Sequence, residues 1–125
     1  MKKIFIALAA IMGMTLGSIG TQVLTAQKSP AGYYVAEVEV NNQDQYNTYV
    51  AGVPKTIEKY GGHYLARGGK TVSLEGEPPK RIVVIAFNSV ADAEKWYNSP
   101  EYSAIRPIRL RSAKSRGFIV EGVAQ

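Results

Sequence analysis

The segment Arg81-Ile82-Val83-Val84-Ile85-Ala86-Phe87 follows a proline-rich turn, Glu77-Pro78-Pro79, and precedes Asn88-Ser89. Its β-branched and aromatic residues, bounded by turn formers, predict a strand. Successive side chains of a strand point to opposite faces of its sheet. Ile82, Val84 and Ala86 then line one face, and Val83, Ile85 and Phe87 line the other. Neither set is polar, so both faces of the sheet need cover.

Outward from this strand the same reasoning yields the other elements. Tyr33 to Val40 reads as a strand, with Tyr34, Ala36, Val38 and Val40 on one face and Tyr33 and Val35 on the other. Asn41, Asn42 and Asp44 are N-cap candidates for the helix that follows. Its stripe is Tyr46, Tyr49, Val50, Val53, Ile57 and Tyr60, spaced by threes and fours. Pro54 is predicted to kink or restart that helix, and Gly61-Gly62 to end it in a left-handed cap. His63 to Arg67 reads as a second strand, followed by a Gly68-Gly69 turn, a short β piece at Thr71 to Leu74 and a loop. After the central strand, Val90 to Tyr97 is a helix with Ala93, Trp96 and Tyr97 facing inward. Ser99-Pro100-Glu101 starts a fresh helical segment, interrupted or restarted at Pro107, and Phe118 to Val123 is the closing strand. The order β-α-β-β-α-β predicts an α+β, ferredoxin-like fold. Right-handed crossovers place the helices on one face of a four-stranded antiparallel sheet. One chain therefore covers one apolar face and leaves the other open. Each large apolar side chain left there forgoes about 1.5–3 kcal/mol of burial. A second copy laid face to face is the simplest cover, because a two-fold contact is self-complementary.

The first 26 residues stand apart from this pattern. Lys2-Lys3, the apolar run from Ile4 to Ile19, and a polar stretch ending in Leu24-Thr25-Ala26 have the order of a Sec-type signal peptide. Cleavage is predicted after Ala26. Residues 27–32 then form a linker, residues 33–125 the domain, and the location is periplasmic or secreted. The whole chain carries a net charge of +5; removing Lys2 and Lys3 lowers Lys+Arg from 15 to 13 against 10 Asp+Glu, leaving +3. That mild excess does not call for nucleic acid, and no membrane contact is expected once the signal is gone. The absence of cysteine excludes disulfides, thiolate metal sites and Cys nucleophiles, and a single histidine excludes zinc sites built on His pairs. Gly69-Lys70-Thr71 fails as a P-loop because Tyr64 stands where the first glycine belongs. No cofactor and no metal are expected.

Several motifs together resemble the domain-of-unknown-function family 1330, of the dimeric α+β barrel superfamily. They are Tyr34-Val35-Ala36-Glu37-Val38, Tyr60-Gly61-Gly62, Leu65-Ala66-Arg67-Gly68-Gly69, Leu74-Glu75-Gly76, Pro79-Lys80-Arg81, Trp96-Tyr97-Asn98-Ser99-Pro100-Glu101-Tyr102 and Arg109-Leu110-Arg111. The resemblance spans about residues 33–123 and implies a ferredoxin-like homodimer. It supplies no reaction; the wider superfamily includes cofactor-independent oxygenases, haem-degrading enzymes and lactone isomerases, and fold alone is a poor guide to chemistry.

The candidate catalytic residue is His63, whose imidazole titrates near neutrality when unperturbed. The expected strand order puts it on an edge strand, two strands from Glu37. The alternative is a plain surface histidine. Glu37 and Glu39 share a face with Tyr33 and Val35 and need partners if covered; Arg67 and Arg81 are candidates, as a ligand site or as a structural ion pair. Trp96, Tyr97 and Tyr102 either wall a ligand cavity or are core. The basic run Arg106, Arg109, Arg111, Lys114 and Arg116 either holds an anionic group, with Arg109 a candidate ligand residue, or is a solvated face. The leading reading is an exported homodimer that binds a small, partly apolar molecule beside the sheet. The alternatives are a cofactor-independent oxygenase or isomerase using His63 or a Tyr as acid/base, and a structural dimer without ligand.

Overall fold

In the computed structural model of the chain, residues 29–124 are described. The expected signal peptide and the start of the linker lie outside them. The elements are β1 (Gly32–Val40), α1 (Gln43–Lys59), β2 (His63–Arg67), β3 (Arg81–Phe87), α2 (Val90–Tyr97), α3 (Pro100–Ser112) and β4 (Ala113–Glu121). The strands form one antiparallel sheet in the order β2-β3-β1-β4, the ferredoxin-like arrangement. None of the described helices is long and apolar enough to cross a membrane.

Each helix begins where a side-chain oxygen satisfies a free backbone N–H. Asn42 accepts from Gln45 N at 3.1 Å, Ser89 from Asp92 N at 3.1 Å and Ser99 from Tyr102 N at 3.1 Å. The end of α1 explains the Tyr60-Gly61-Gly62 motif. Gly61 has φ +77°, the left-handed cap, and a Cβ on Gly62 would stand 2.5 Å from the Phe87 ring.

β1 presents Tyr34, Ala36 and Val38 to the helices, and β3 presents Ile85 and Phe87; all five are buried. Above them Trp96 and Tyr102 are fully buried, with ring centroids 4.2 Å apart. Trp96 Nε1 donates to Thr56 Oγ1 at 3.0 Å, so the one polar atom of the indole is satisfied inside the core.

Neither proline inside a helix breaks it. α1 runs through Pro54 and α3 through Pro107. The inward stripe Tyr46, Tyr49, Val53 and Ile57 stays buried across Pro54, so core packing outweighs one missing backbone donor. Residues Thr71 to Leu74 are not a strand: they lie in an exposed loop with Val72 and Leu74 in solvent, because β2 is an edge strand and nothing pairs beyond it. The closing strand starts at Ala113, five residues before the expected Phe118, and ends at Glu121. Its first half has small residues inward and Lys114 and Arg116 outward, opposite Glu39 and Glu37 of β1.

The helix-free face is the other half of the expectation. β1 contributes half-buried Tyr33 and Val35, and β3 contributes Ile82 and Val84. Leu65, Phe118 and Val120 are exposed. No element of the described residues covers this surface. The pattern assigned to β3 from the sequence therefore stands: Val83, Ile85 and Phe87 meet the helices, and Ile82, Val84 and Ala86 face away.

One surface ion pair fastens α1 to α3. Lys59 and Tyr60 both donate to the Glu101 carboxylate, Tyr60 at 2.8 Å. The lysine hydrogen bond, then the backbone amide of Glu101 and the tyrosine, lower its pKa from 4.5 to about 2. A folded-state value below the unfolded one means the contribution is complete above pH 4.5 and is lost as pH falls towards 2. Glu101→Gln is expected to flatten the decline of melting temperature between pH 5 and pH 2, and an unchanged slope would remove this pair from the acid response.

Candidate functional site

The site is organised by one side chain. Along α3, Tyr102, Ile105, Arg109 and Ser112 recur at helical spacing; Tyr102, Arg109 and Ser112 are buried, and Ile105 lies beside Gly52 of α1. Arg109 is thereby carried into the interior, where it is 5 % exposed. Its guanidinium donates to the Tyr102 hydroxyl at 3.4 Å and to Ser115 Oγ of β4. The Tyr102 hydroxyl in turn lies 2.6 Å from that of Tyr49 on α1.

Two spaces share Arg109 and Tyr34 as walls. On the β4 side is a cleft of about 340 Å³. It is lined by Tyr34 of β1, Tyr97 of α2, Arg109 and Leu110 of α3, and Ser115, Gly117, Phe118 and Ile119 of β4. A Cβ on Gly117 would come 3.1 Å from the Tyr34 hydroxyl, so the glycine leaves the phenol room beside the strand. On the α1 side is an inner void of about 20 Å³, room for one water-sized group. Arg67, Arg81 and Arg109 reach it, together with Tyr34, Tyr46, Tyr49 and Tyr64. Each guanidinium lies near a tyrosine ring: Arg67 at 4.6 Å from Tyr64, Arg81 at 5.6 Å from Tyr46 and Arg109 at 5.9 Å from Tyr49. Gly68 has φ +68°, and a Cβ there would strike the Arg81 guanidinium at 2.1 Å. The Arg67-Gly68-Gly69 motif thus makes the turn and leaves space for Arg81.

Burial pushes the phenols of Tyr34 and Tyr49 far above the usual tyrosine value, with the neighbouring Tyr102 adding to it. Burial also raises Tyr64, against the opposing effect of Arg67. These hydroxyls are protonated donors at neutral pH.

The structure sorts the residues nominated from sequence into three groups. Arg67, Tyr97 and Arg109 line the two spaces. Trp96 and Tyr102 are fully buried core behind them and line neither. Glu37 and His63 lie on the helix-free face, opposite Ile82 and Ala86 in register, with the sheet between them and Arg109. Arg67 and Arg81 are therefore not the partners of Glu37. Glu37 accepts from the Lys80 backbone N at 3.0 Å, and Glu39 pairs with Lys80 Nζ at 3.9 Å. The basic run divides: Arg109 is buried, Arg106 stacks 4.7 Å from the Tyr97 ring, and Arg111, Lys114 and Arg116 are exposed. Tyr34, Leu110 and Ser115 were not nominated as site residues, and Arg81 was named only as a partner for Glu37. The parity of β3 carried the signal for Arg81, which alternates in phase with Val83, Ile85 and Phe87.

Residues 31–123 match the family described as Domain of unknown function (DUF1330). The chain belongs to this family. The DUF1330 match takes in every element of the fold and every residue of the cleft. Among solved structures, a protein of unknown function from Rhodopseudomonas palustris is similar at TM-score 0.63 and 16% identity, covering 86% of this chain and 94% of that one. SnoaB, a cofactor-independent oxygenase from Streptomyces nogalater, is similar at TM-score 0.54 and 11% identity, covering 78% of this chain and 97% of its own. At these identities the likeness concerns the fold. No curated protein matches the chain.

Proposed function

We propose that this DUF1330 protein is an exported homodimer that binds a small, partly apolar molecule in the cleft between α2, α3 and β4. The observation that carries this reading is the cleft itself. Its volume of about 340 Å³ falls in the range of ligand pockets, about 300–1,000 Å³. Its walls are apolar apart from a few convergent polar groups, Arg109, Ser115 and the Tyr34 hydroxyl. The apolar helix-free face supports the second copy, and the order of residues 1–26 supports export.

Binding without turnover is the better fit to the lining. The cleft has neither an imidazole nor a carboxylate among its lining residues, and Tyr34 is a hydrogen-bond donor at neutral pH rather than a base. SnoaB lends the oxygenase reading its fold only.

Native mass spectrometry of the protein released from its own cell envelope tests the proposal. The expected particle has the mass of two chains, each beginning at Gln27, with a small molecule retained. Single chains at micromolar concentration, or a particle that carries no added mass, would overturn it.

A further inference from the structure

We propose that the molecule in the cleft is an organic acid, its carboxylate held by Arg109 and its apolar body lying along Tyr97, Leu110 and Ile119. The inference rests on the cleft being a binding site, and it starts from a charge imbalance. The ion pairs among the described residues are Lys59 with Glu101 and Lys80 with Glu39. Arg109 has none, although it is buried, and its two partners are neutral hydroxyls. A guanidinium offers five donors, and a buried cation without a counter-charge is costly.

The surroundings deepen the imbalance. Arg67 and Arg81 converge with Arg109 on the inner void, and no Asp or Glu lines either space. Arg81 Nε is buried without an acceptor. Glu37 and Glu39 point away on the far side of the sheet, and Glu101 is engaged at the surface. Three positive groups, Arg109 buried, Arg81 half-buried and Arg67 exposed, with the acids sorted elsewhere, make a positive potential at the shared wall. Of the three guanidinium groups only that of Arg109 lines the cleft, and the rest of the cleft is aromatic or aliphatic, with Ser115 and the Tyr34 hydroxyl as further donors. One planar fork suits one planar two-oxygen head. A dianionic phosphate would ask for more charge than a single guanidinium brings to the cleft.

The inference is tested by titration calorimetry of the mature protein with hexanoate, octanoate and phenylacetate, each against its primary amide, and with phenyl phosphate. A hydrogen bond to a charged group contributes about 1.5–3 kcal/mol, which is roughly a 10- to 150-fold change in affinity. The acids are expected to bind at least about tenfold tighter than their amides, and Arg109→Gln to erase the difference. Because Arg109 is buried, Leu110→Glu serves as a second variant on an exposed residue of the cleft. It removes an apolar contact from both series but sets a like charge against the acids alone, so it is expected to weaken the acids by more than the amides. Equal binding of acid and amide overturns the carboxylate assignment and leaves the cleft a binding site. Tighter binding of phenyl phosphate than of phenylacetate overturns it in favour of a phosphate. Binding of neither series overturns the cleft reading as well.

Discussion

Trp96→Ala is expected to lower the unfolding free energy by about 3–5 kcal/mol, the usual cost of emptying a large buried aromatic site. Trp96 is fully buried and packs against four rings at once, that of Tyr97 at 6.0 Å among them. Its centroid stands 4.2 Å from Tyr102, 5.4 Å from Phe87 and 5.2 Å from Tyr34. It therefore joins α2 to α3, to β3 and to β1. Relaxation cannot refill the hole, because Tyr102 is tied by its hydroxyl to Tyr49 and Arg109, and Phe87 fits against Gly62. A domain of this size has about 5–15 kcal/mol in total, so the variant loses a large part of it. Urea unfolding followed by far-ultraviolet circular dichroism measures the change without relying on the indole. Trp96→Phe separates packing from polarity. Thr56 Oγ1 keeps its donation to Val53 O at 2.7 Å when the indole N–H is gone, so the phenylalanine variant is expected to lose about half as much or less. A loss below about 1 kcal/mol in the alanine variant would mean that the core is organised elsewhere.

The contrast between what local pattern carries and what it does not follows from where the contacts lie. β3 is legible because seven residues contain its full alternation. Caps such as Ser99 and turns such as Gly61-Gly62 are legible because donor and acceptor lie within a few residues of each other. β4 was placed late because its first half is Ala113-Lys114-Ser115-Arg116-Gly117, which lacks strand formers. Only its pairing with β1, where Lys114 and Arg116 meet Glu39 and Glu37, makes it a strand. The loop after Gly68 erred the other way, since Thr71 and Val72 have strand propensity but no neighbour to pair with.

The candidate site divides along the same line. Arg109 was within reach of sequence reasoning, because it continues the inward stripe of Tyr102, Ile105 and Ser112, whereas Leu110 and Arg111 point outward. Its convergence with Tyr34, Ser115 and Arg81 was not, because those residues come from three strands and meet only when the sheet closes. For Trp96 and Tyr102 the sequence left two alternatives, cavity wall or core. Aromatic residues close in sequence to a motif attract a functional reading, yet their complete burial assigns them to packing. Tyr97 alone of that group reaches the cleft. The separation of Glu37 and His63 from Arg109 rests on strand parity, which a residue-by-residue list of polar side chains does not reveal.

Val84→Asp is expected to convert the proposed homodimer to monomers at micromolar concentration while leaving each subunit folded. Val84 sits on β3, opposite Val35 of β1 and Ala66 of β2, in the middle of the helix-free face. In one subunit that face is open, so a carboxylate there stays hydrated and costs the fold little. In a face-to-face pair, two-fold symmetry buries the aspartate of both copies. Within one subunit its neighbours on this face are Val35, Ala66 and Ile82, and Lys80, Lys114 and Arg116 gather towards the Glu37–Glu39 end. Each unpaired buried charge costs about 2–5 kcal/mol, so two weaken association by about a thousandfold or more. Sedimentation velocity over a concentration series reads the shift directly, and circular dichroism on the same samples checks the fold. Glu39→Ala, at the charged end, is the matched control and is expected to change association by less than tenfold, since an exposed ion pair contributes about 1 kcal/mol or less. If Val84→Asp stays dimeric with unchanged affinity, the two copies meet through some other surface, and the apolar side of the sheet has a different occupant.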